Sequence, residues 1–247
     1  MNHFLKFGIF SVLFLGITIN GFSQKSAQDI IDKVIEVAGG KLYDSYNMEF
    51  DFRDKHYVSK RDNGVFEYSR IAKTDNEKVV ITYGNTKPLN KTINGKNASV
   101  TTEMSSRIEN SINSVNYFVL LPYGLNDKAV FKTYKGEISI KGKEYYMIQV
   151  TFSENGGGKD FEDVYMYWIN KETFKIDYLA YSFLVNGGGI RFREAYNERY
   201  INGLRFVDYN NYKPQDKNIE LTSLSSLFDN GELKLLSKIE TKNIKFN

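Results

Sequence analysis

The chain has 247 residues, 18 Tyr and 18 Phe against only 3 Pro, no Cys and a formal charge of +3. That length allows one sizeable domain with its own core, and the aromatic richness favours strands. Without cysteine there is no structural disulfide, thiolate chemistry, Cys-ligated zinc or iron–sulfur cluster, and no lipid anchor on an N-terminal cysteine. Charges of both signs are interspersed, so no electrostatic footprint for nucleic acid is present.

Residues 1–24 read as a secretory signal peptide: Lys6 gives a positive start, Phe7 to Ile19 an apolar core, and Gly21-Phe22-Ser23-Gln24 a small and polar exit. The expected mature part, 25–247, reads as one domain. Its first element is a helix. Ile30, Ile31, Val34, Ile35, Val37 and Ala38 make one apolar stripe, Asp29 and Asp32 sit near the positive end of the dipole, and Gly39-Gly40 stops it.

Strands follow. Met48, Phe50 and Phe52 alternate with Glu49, Asp51 and Arg53, which gives one apolar and one wet face. Asn63-Gly64 turns this run into Val65 to Ile71; Val79 to Tyr83 and a pair about Asn94-Gly95 come next. Helical period returns at Ser106-Arg107-Ile108-Glu109, which has the form of a capping box, with Ile108, Ile112, Val115 and Val119 on one face. The segment ends in an apolar loop, Leu120 to Leu125, where Pro122 prevents continuation. That loop either plugs the core or acts as a lid.

The remainder is sheet. Val130 to Tyr134, Glu137 to Ile140 and Tyr145 to Phe152 precede a meander from Gly156 to Tyr212, punctuated by Gly156-Gly157-Gly158, Asn170 to Thr173, Gly187-Gly188-Gly189 and Asn202-Gly203. Lys213 to Ser226 is the longest expected loop, and a last strand or pair runs through Leu233 to Phe246. The count is eleven or twelve strands and two helices.

Pairing Ile169 with Phe174 across the central turn makes partners sum to 343. Tyr165, Tyr167, Ile169, Phe174, Ile176 and Tyr178 then share one apolar face, while Trp168 and Met166 share a mixed face with Lys175 and Asp177. Two short helices do not readily cover so much aromatic wall. The surplus implies a cavity for an apolar ligand, worth ~0.8 kcal/mol gross per buried methylene; the competing reading is a self-filled core. Asp160, Glu162 and Asp163 after the first glycine triplet, and Arg191, Arg193 and Glu194 after the second, lie near one end of adjacent strands. They form either a charged rim for a head group or ion pairs between neighbouring strands.

Other chemistry is thin. The part after the leader has one histidine, His56, and no G-x-S-x-G elbow, P-loop or dinucleotide fingerprint. No metal site, cofactor or catalytic residue is expected. A carboxylate pair of glycosidase type remains open.

The order of leader, amphipathic helix, long strands, mid-chain helix with apolar loop and further strands resembles the lipoprotein-carrier (LolA/LolB-like) half-barrels of bacterial envelopes. Gly39 to Tyr43, Phe50 to Tyr57, Leu121 to Asn126, Gly156 to Trp168 and Tyr178 to Asn197 resemble, more specifically, a Bacteroidota family of uncharacterised secreted proteins. The resemblance implies an α+β, mainly β, fold: a strongly curved antiparallel sheet of about eleven strands forming an incomplete (half) β-barrel, with helices in its concavity and an apolar cavity between. It implies a periplasmic, unanchored, monomeric carrier of a lipid, lipoprotein acyl chain or other hydrophobic ligand, in transient contact with envelope membrane proteins. The two glycine triplets, the charged rim and the density of Tyr depart from the carrier pattern. Phe50, Phe52, Tyr165, Tyr167, Tyr178, Arg191 and Arg193 are the expected ligand-binding residues. The alternatives are an envelope hydrolase using rim carboxylates such as Glu162 and Glu194, or a structural or partner-binding module.

Overall fold

The computed structural model describes residues 26–158, 160–184 and 187–247. The expected signal peptide lies outside them.

The described residues form fourteen strands and three α-helices. Helix α1 (Ala27–Ala38) carries its own capping box: the Ser26 hydroxyl accepts from the Asp29 amide, and the Asp29 carboxylate accepts from the Ser26 amide. It ends at Gly39, whose φ of 144° only glycine holds easily. A Cβ there would also lie 2.5 Å from Leu204 Cδ2.

Strands β1 (Ser45–Phe52), β2 (Lys55–Asp62), β3 (Val65–Lys73), β4 (Lys78–Gly84), β5 (Lys87–Ile93) and β6 (Lys96–Asn97) form a meander. Helix α2 (Thr102–Val119) follows, then β7 (Val130–Ile140), β8 (Lys143–Phe152), β9 (Val164–Asn170), β10 (Ile176–Phe183), β11 (Gly189–Ile201) and β12 (Leu204–Lys213), a second meander. Helix α3 (Leu224–Asp229) precedes β13 (Lys234–Ile239) and β14 (Thr241–Phe246). The turns are as expected: Asn63-Gly64, Asn94-Gly95 and Asn202-Gly203 all take positive φ.

The last two strands divide the structure. Strand β13 pairs with β12, closing a seven-stranded sheet of order β13-β12-β11-β10-β9-β8-β7. Strand β14 pairs with β1, closing the other, β14-β1-β2-β3-β4-β5-β6. Both are antiparallel, strongly curved together, and not closed into a barrel. Between β13 and β14 the chain crosses at Glu240. Beside this seam a buried carboxylate, Asp208, accepts from the Thr241 amide (3.0 Å), Arg199 (3.0 Å) and Asn197 (2.6 Å). One acid thus ties β11, β12 and β14.

Each sheet buries its inner face against a helix. Ile30, Ile31 and Val34 of α1 pack on Ile148, Val150, Tyr167, Ile169 and Leu179. Ile112 of α2, with Ile108, Val115 and Val119, packs on Met48, Phe50, Tyr57, Tyr68 and Ile81. A third cluster covers the outer face of the second sheet: Trp168, Met166, Tyr178 and Phe192 lie under Leu221, Leu224 and Phe228.

Four expectations are corrected. The longest expected loop, Lys213 to Ser226, ends in a 3-10 turn (Leu221–Ser223) and the first residues of α3, which cover that outer face. Helix α2 starts at Thr101, whose hydroxyl accepts from the Met104 amide at 3.2 Å, and not at Ser106; Ser105 instead donates to Glu109. Val130 to Tyr134 and Glu137 to Ile140 are one strand, bulged near Gly136. In the central hairpin partners sum to 346 over most of its length, Tyr178 opposite Trp168 and Tyr181 opposite Tyr165, with the shift between Ile176 and Tyr178. Phe174 adopts φ 55° inside a five-residue loop, 171–175, that a tight turn did not anticipate. The extra residue sends Tyr178 to the outer face and brings Leu179 and Tyr181 inward.

Candidate functional site

The concave side keeps two open compartments beneath and beside α2. The inner one, about 270 Å³, lies along the seam of the two sheets and is walled by Phe52, Val115, Phe118, Val119, Val207 and Ile239, with Tyr209, Arg53, Ser111, Ser114, Arg193 and Thr241 completing it. The outer one, about 370 Å³, lies between α2 and the ends of β9–β11. Its walls are Tyr117, Phe118, Phe152, Tyr165, Tyr181 and Phe183, and its polar groups are Asn110, Asn113, Asp160, Asp163, Arg191 and Arg193.

Phe118, Ser114 and Arg193 border both compartments. Phe118 comes from the aromatic pair near the end of α2, and Arg193 from β11. The guanidinium lies 3.8 Å from the Phe118 ring centroid and 5.2 Å from that of Tyr181. Such stacking is favourable for arginine. Arg193 donates one hydrogen bond, to the Tyr181 hydroxyl at 2.9 Å. Its exposure is 7%, and its Nε and Nη1 have no partner. No carboxylate lies within ion-pair distance of it among the described residues. A buried cation with unfilled donors is costly to hold.

Of the other residues expected to bind ligand, Phe52 lines the inner compartment, and Tyr165 and Arg191 line the outer one. Arg191 lies 5.0 Å from the Phe183 ring and donates to the Ile190 carbonyl. Phe50 and Tyr167 are on the correct face but belong to the packed core: Phe50 stacks on Tyr57 at 5.3 Å, and Tyr167 shares a 2.7 Å hydroxyl–hydroxyl bond with Tyr117 of α2. Tyr178 is not at the site; it meets Phe228 at 5.3 Å on the outer face. The aromatic wall is therefore filled in part by α2 itself. The apolar loop also fills: Leu120, Leu121 and Leu125 are buried, one in the first sheet's core and two in the second's.

The rim is split by strand alternation. Asp160, Asp163, Arg191 and Arg193 face the outer compartment. Burial, with Asp160 and Glu162 beside it, pushes the Asp163 carboxyl up to about 6. Glu194 points the other way, accepting from Tyr212 (3.2 Å) and Asn210 (3.0 Å) beside Lys141 on the outer face. Glu162 is exposed and Glu194 lies across the sheet, so these two acids do not flank one cleft. The glycine triplets build turns: Gly156 and Gly158 take φ of 89° and 81°, Gly187 and Gly188 84° and 68°, and a Cβ on Gly157 would stand 2.2 Å from the Ser153 carbonyl.

His56 stands apart on the outer face of the first sheet, its Nδ1 2.8 Å from Asp51, which Asn243 also holds at 2.7 Å. These contacts tie β1, β2 and β14.

Sequence reasoning missed the contribution of α2. Ser111, Ser114, Val115, Phe118 and Val119 supply one wall, and only the apolar stripe of that helix was a signal for it. Arg53, Val207, Tyr209 and Ile239 were missed because the seam that gathers them joins the two ends of the chain.

The chain belongs to a family of unknown function, DUF6503, whose model matches residues 7–241. No curated protein matches it. Among solved structures, a DUF1329 family protein from Desulfovibrio piger is similar at 9% identity and a TM-score of 0.42, covering 91% of this chain and 94% of that one. The Mycobacterium tuberculosis lipoprotein LppX is similar at 11% identity and a TM-score of 0.28, over 65% of this chain and 90% of that one. Among the described residues, no helix is long and apolar enough to cross a membrane.

Proposed function

We propose that this is an exported, periplasmic binding or carrier protein for an amphiphile with an anionic group. Arg193 carries the reading. It is a buried cation, stacked on Phe118, with two unfilled donors bordering two compartments. In a self-filled structural core such a group would cost stability with no return. In a ligand site it is an anchor held ready by its aromatic neighbours.

The acyl chain would lie in the inner compartment against Phe52, Val115, Val119 and Ile239, with its anionic group on Arg193. Compartments of about 270 and 370 Å³ are at the small end of ligand pockets, which run roughly 300–1,000 Å³. They suit one acyl chain. A triacylated lipoprotein anchor would require α2 to move away from the sheets.

The test is native mass spectrometry of protein purified from a bacterial periplasm without detergent, followed by organic extraction. The expected result is a bound lipid of defined mass that carries an anionic group, lost in Arg193→Gln while the thermal midpoint is kept. Protein that is empty, and that also fails to bind a fluorescent fatty acid, would overturn the reading in favour of a partner-binding module.

A further inference from the structure

The outer compartment holds charges of both signs that do not neutralise one another. Arg191 and Arg193 are on β11. Asp163 immediately precedes β9, and Asp160 lies three residues before it. Strand β10 stands between. Tyr165, Tyr181 and Arg191 form one row across the three strands, Tyr165 opposite Tyr181 and Tyr181 opposite Arg191. Two strand spacings separate the β9 and β11 backbones, roughly 10 Å. The Tyr165 and Tyr181 rings stack on one another at 5.2 Å and 18° and both line the compartment, so the wall between the acids and the guanidiniums is aromatic. Asp163 is raised by burial, Asp160 and Glu162, and neither arginine pulls it back. Neither arginine forms an ion pair among the described residues. The two charged ends are therefore held apart with open space between them.

We infer that the outer compartment receives a zwitterionic head group, its anionic part on Arg193 and Arg191 and its ammonium beside the Tyr165–Tyr181 pair toward Asp160 and Asp163. This rests on the amphiphile reading above and narrows it to a ligand class: a single acyl chain carrying both a phosphate, sulfonate or carboxylate and an amine or quaternary ammonium. The chemistry on each side is ordinary. Guanidinium forks bind anions in bidentate fashion, and aromatic faces with nearby carboxylates bind ammonium groups. A pocket that desolvates both charges of a zwitterion rejects a ligand lacking either, because the matching protein group is then left unpaired.

The probes are three detergents with the same tail, each below its micelle concentration: dodecylphosphocholine, dodecyl phosphate and dodecyltrimethylammonium. Affinities for the protein are measured by calorimetric titration. Dodecylphosphocholine is expected to bind about ten-fold more tightly than dodecyl phosphate, and dodecyltrimethylammonium most weakly. In the double variant Asp160→Asn/Asp163→Asn, dodecylphosphocholine should fall to the level of dodecyl phosphate, whose own affinity stays the same or rises. Arg193→Gln should weaken both phosphate-bearing probes. If dodecyl phosphate binds as tightly as dodecylphosphocholine, or the Asp variant keeps the preference, the zwitterion inference is wrong and the carrier reading stands. If none of the three binds, both fall.

Discussion

The two sheets are equal in strand number and unequal in burial. The first, β14 to β6, has one dry face. Along β1 the buried residues are Tyr46, Met48 and Phe50, with Asn47, Glu49 and Asp51 between them more open to water. The second, β13 to β7, is covered on both faces at its centre. From Tyr165 to Asn170, six successive residues of β9 are buried. The inner face rests on α1 and α2, the outer on α3 and its approach. Alternation is therefore a guide to the face of a strand only where one face is wet. In β9 it carries no such information, and Trp168 and Met166, on a face that reads as mixed, are as deeply buried as Tyr167.

The largest effects should expose this difference. Trp168→Ala, under α3, should cost about 3–5 kcal/mol in a urea melt. Glu49→Ala, on the outer face of the first sheet, should change stability by no more than about 0.5 kcal/mol. Equal effects would mean that the outer face of the second sheet is not truly packed. At the seam, Asp208→Ala should cost about 3–5 kcal/mol, because it leaves the Thr241 amide without its acceptor and Arg199 without its ion-pair partner. A loss below 1 kcal/mol would show that the two sheets are held together by apolar packing alone.

The candidate site should behave in the opposite sense. Arg193→Met should raise the stability of ligand-free protein by about 1 kcal/mol, since an underpaired buried cation becomes an apolar group of similar length. The same change should remove ligand binding. Destabilisation would mean that the cation is paid for by its ring contacts and has no need of an anion.

Asp163 sharpens the point through pH. Its folded-state value, about 6, lies above its ordinary 3.8, so between these values the folded chain holds the proton more firmly than the unfolded one. The cost of this carboxylate is absent below about 3.8 and grows as pH rises, reaching its full size above about 6. Asp163→Asn should therefore stabilise the protein at pH 8, by about 1 kcal/mol once solvent screening is allowed for, and give no benefit at pH 4. Thermal midpoints at the two pH values check this. Thr101→Ala should cost about 1 kcal/mol or less through loss of the α2 cap. Ser106→Ala should be closer to neutral, which distinguishes the observed helix start from the one read in the sequence.

Most of the site residues expected on the concave side were legible from local pattern. Phe52, Tyr165, Arg191 and Arg193 are placed by strand alternation and by their distance from the glycine turns. Tyr178 was misplaced because one bulge reverses every residue beyond it. Tyr167 lies on the predicted face but is occupied by Tyr117, a contact over fifty residues of sequence. Tyr167→Asp is therefore a fold-breaking change and not a probe of binding.

Most of the elements and their joints are legible in the chain alone. The α1 stripe and its glycine stop, the Asn-Gly hairpins and the long aromatic strands all follow from short-range rules that act on neighbouring residues. Folding in three dimensions sends the last two strands to different sheets, sets α3 over the outer face, and makes α2 fill part of the concavity while leaving Phe118 and Arg193 between two compartments. Those outcomes depend on contacts between residues far apart in the chain. Hydrophobic period shows that a face must be covered, but not which segment covers it or how much space it leaves.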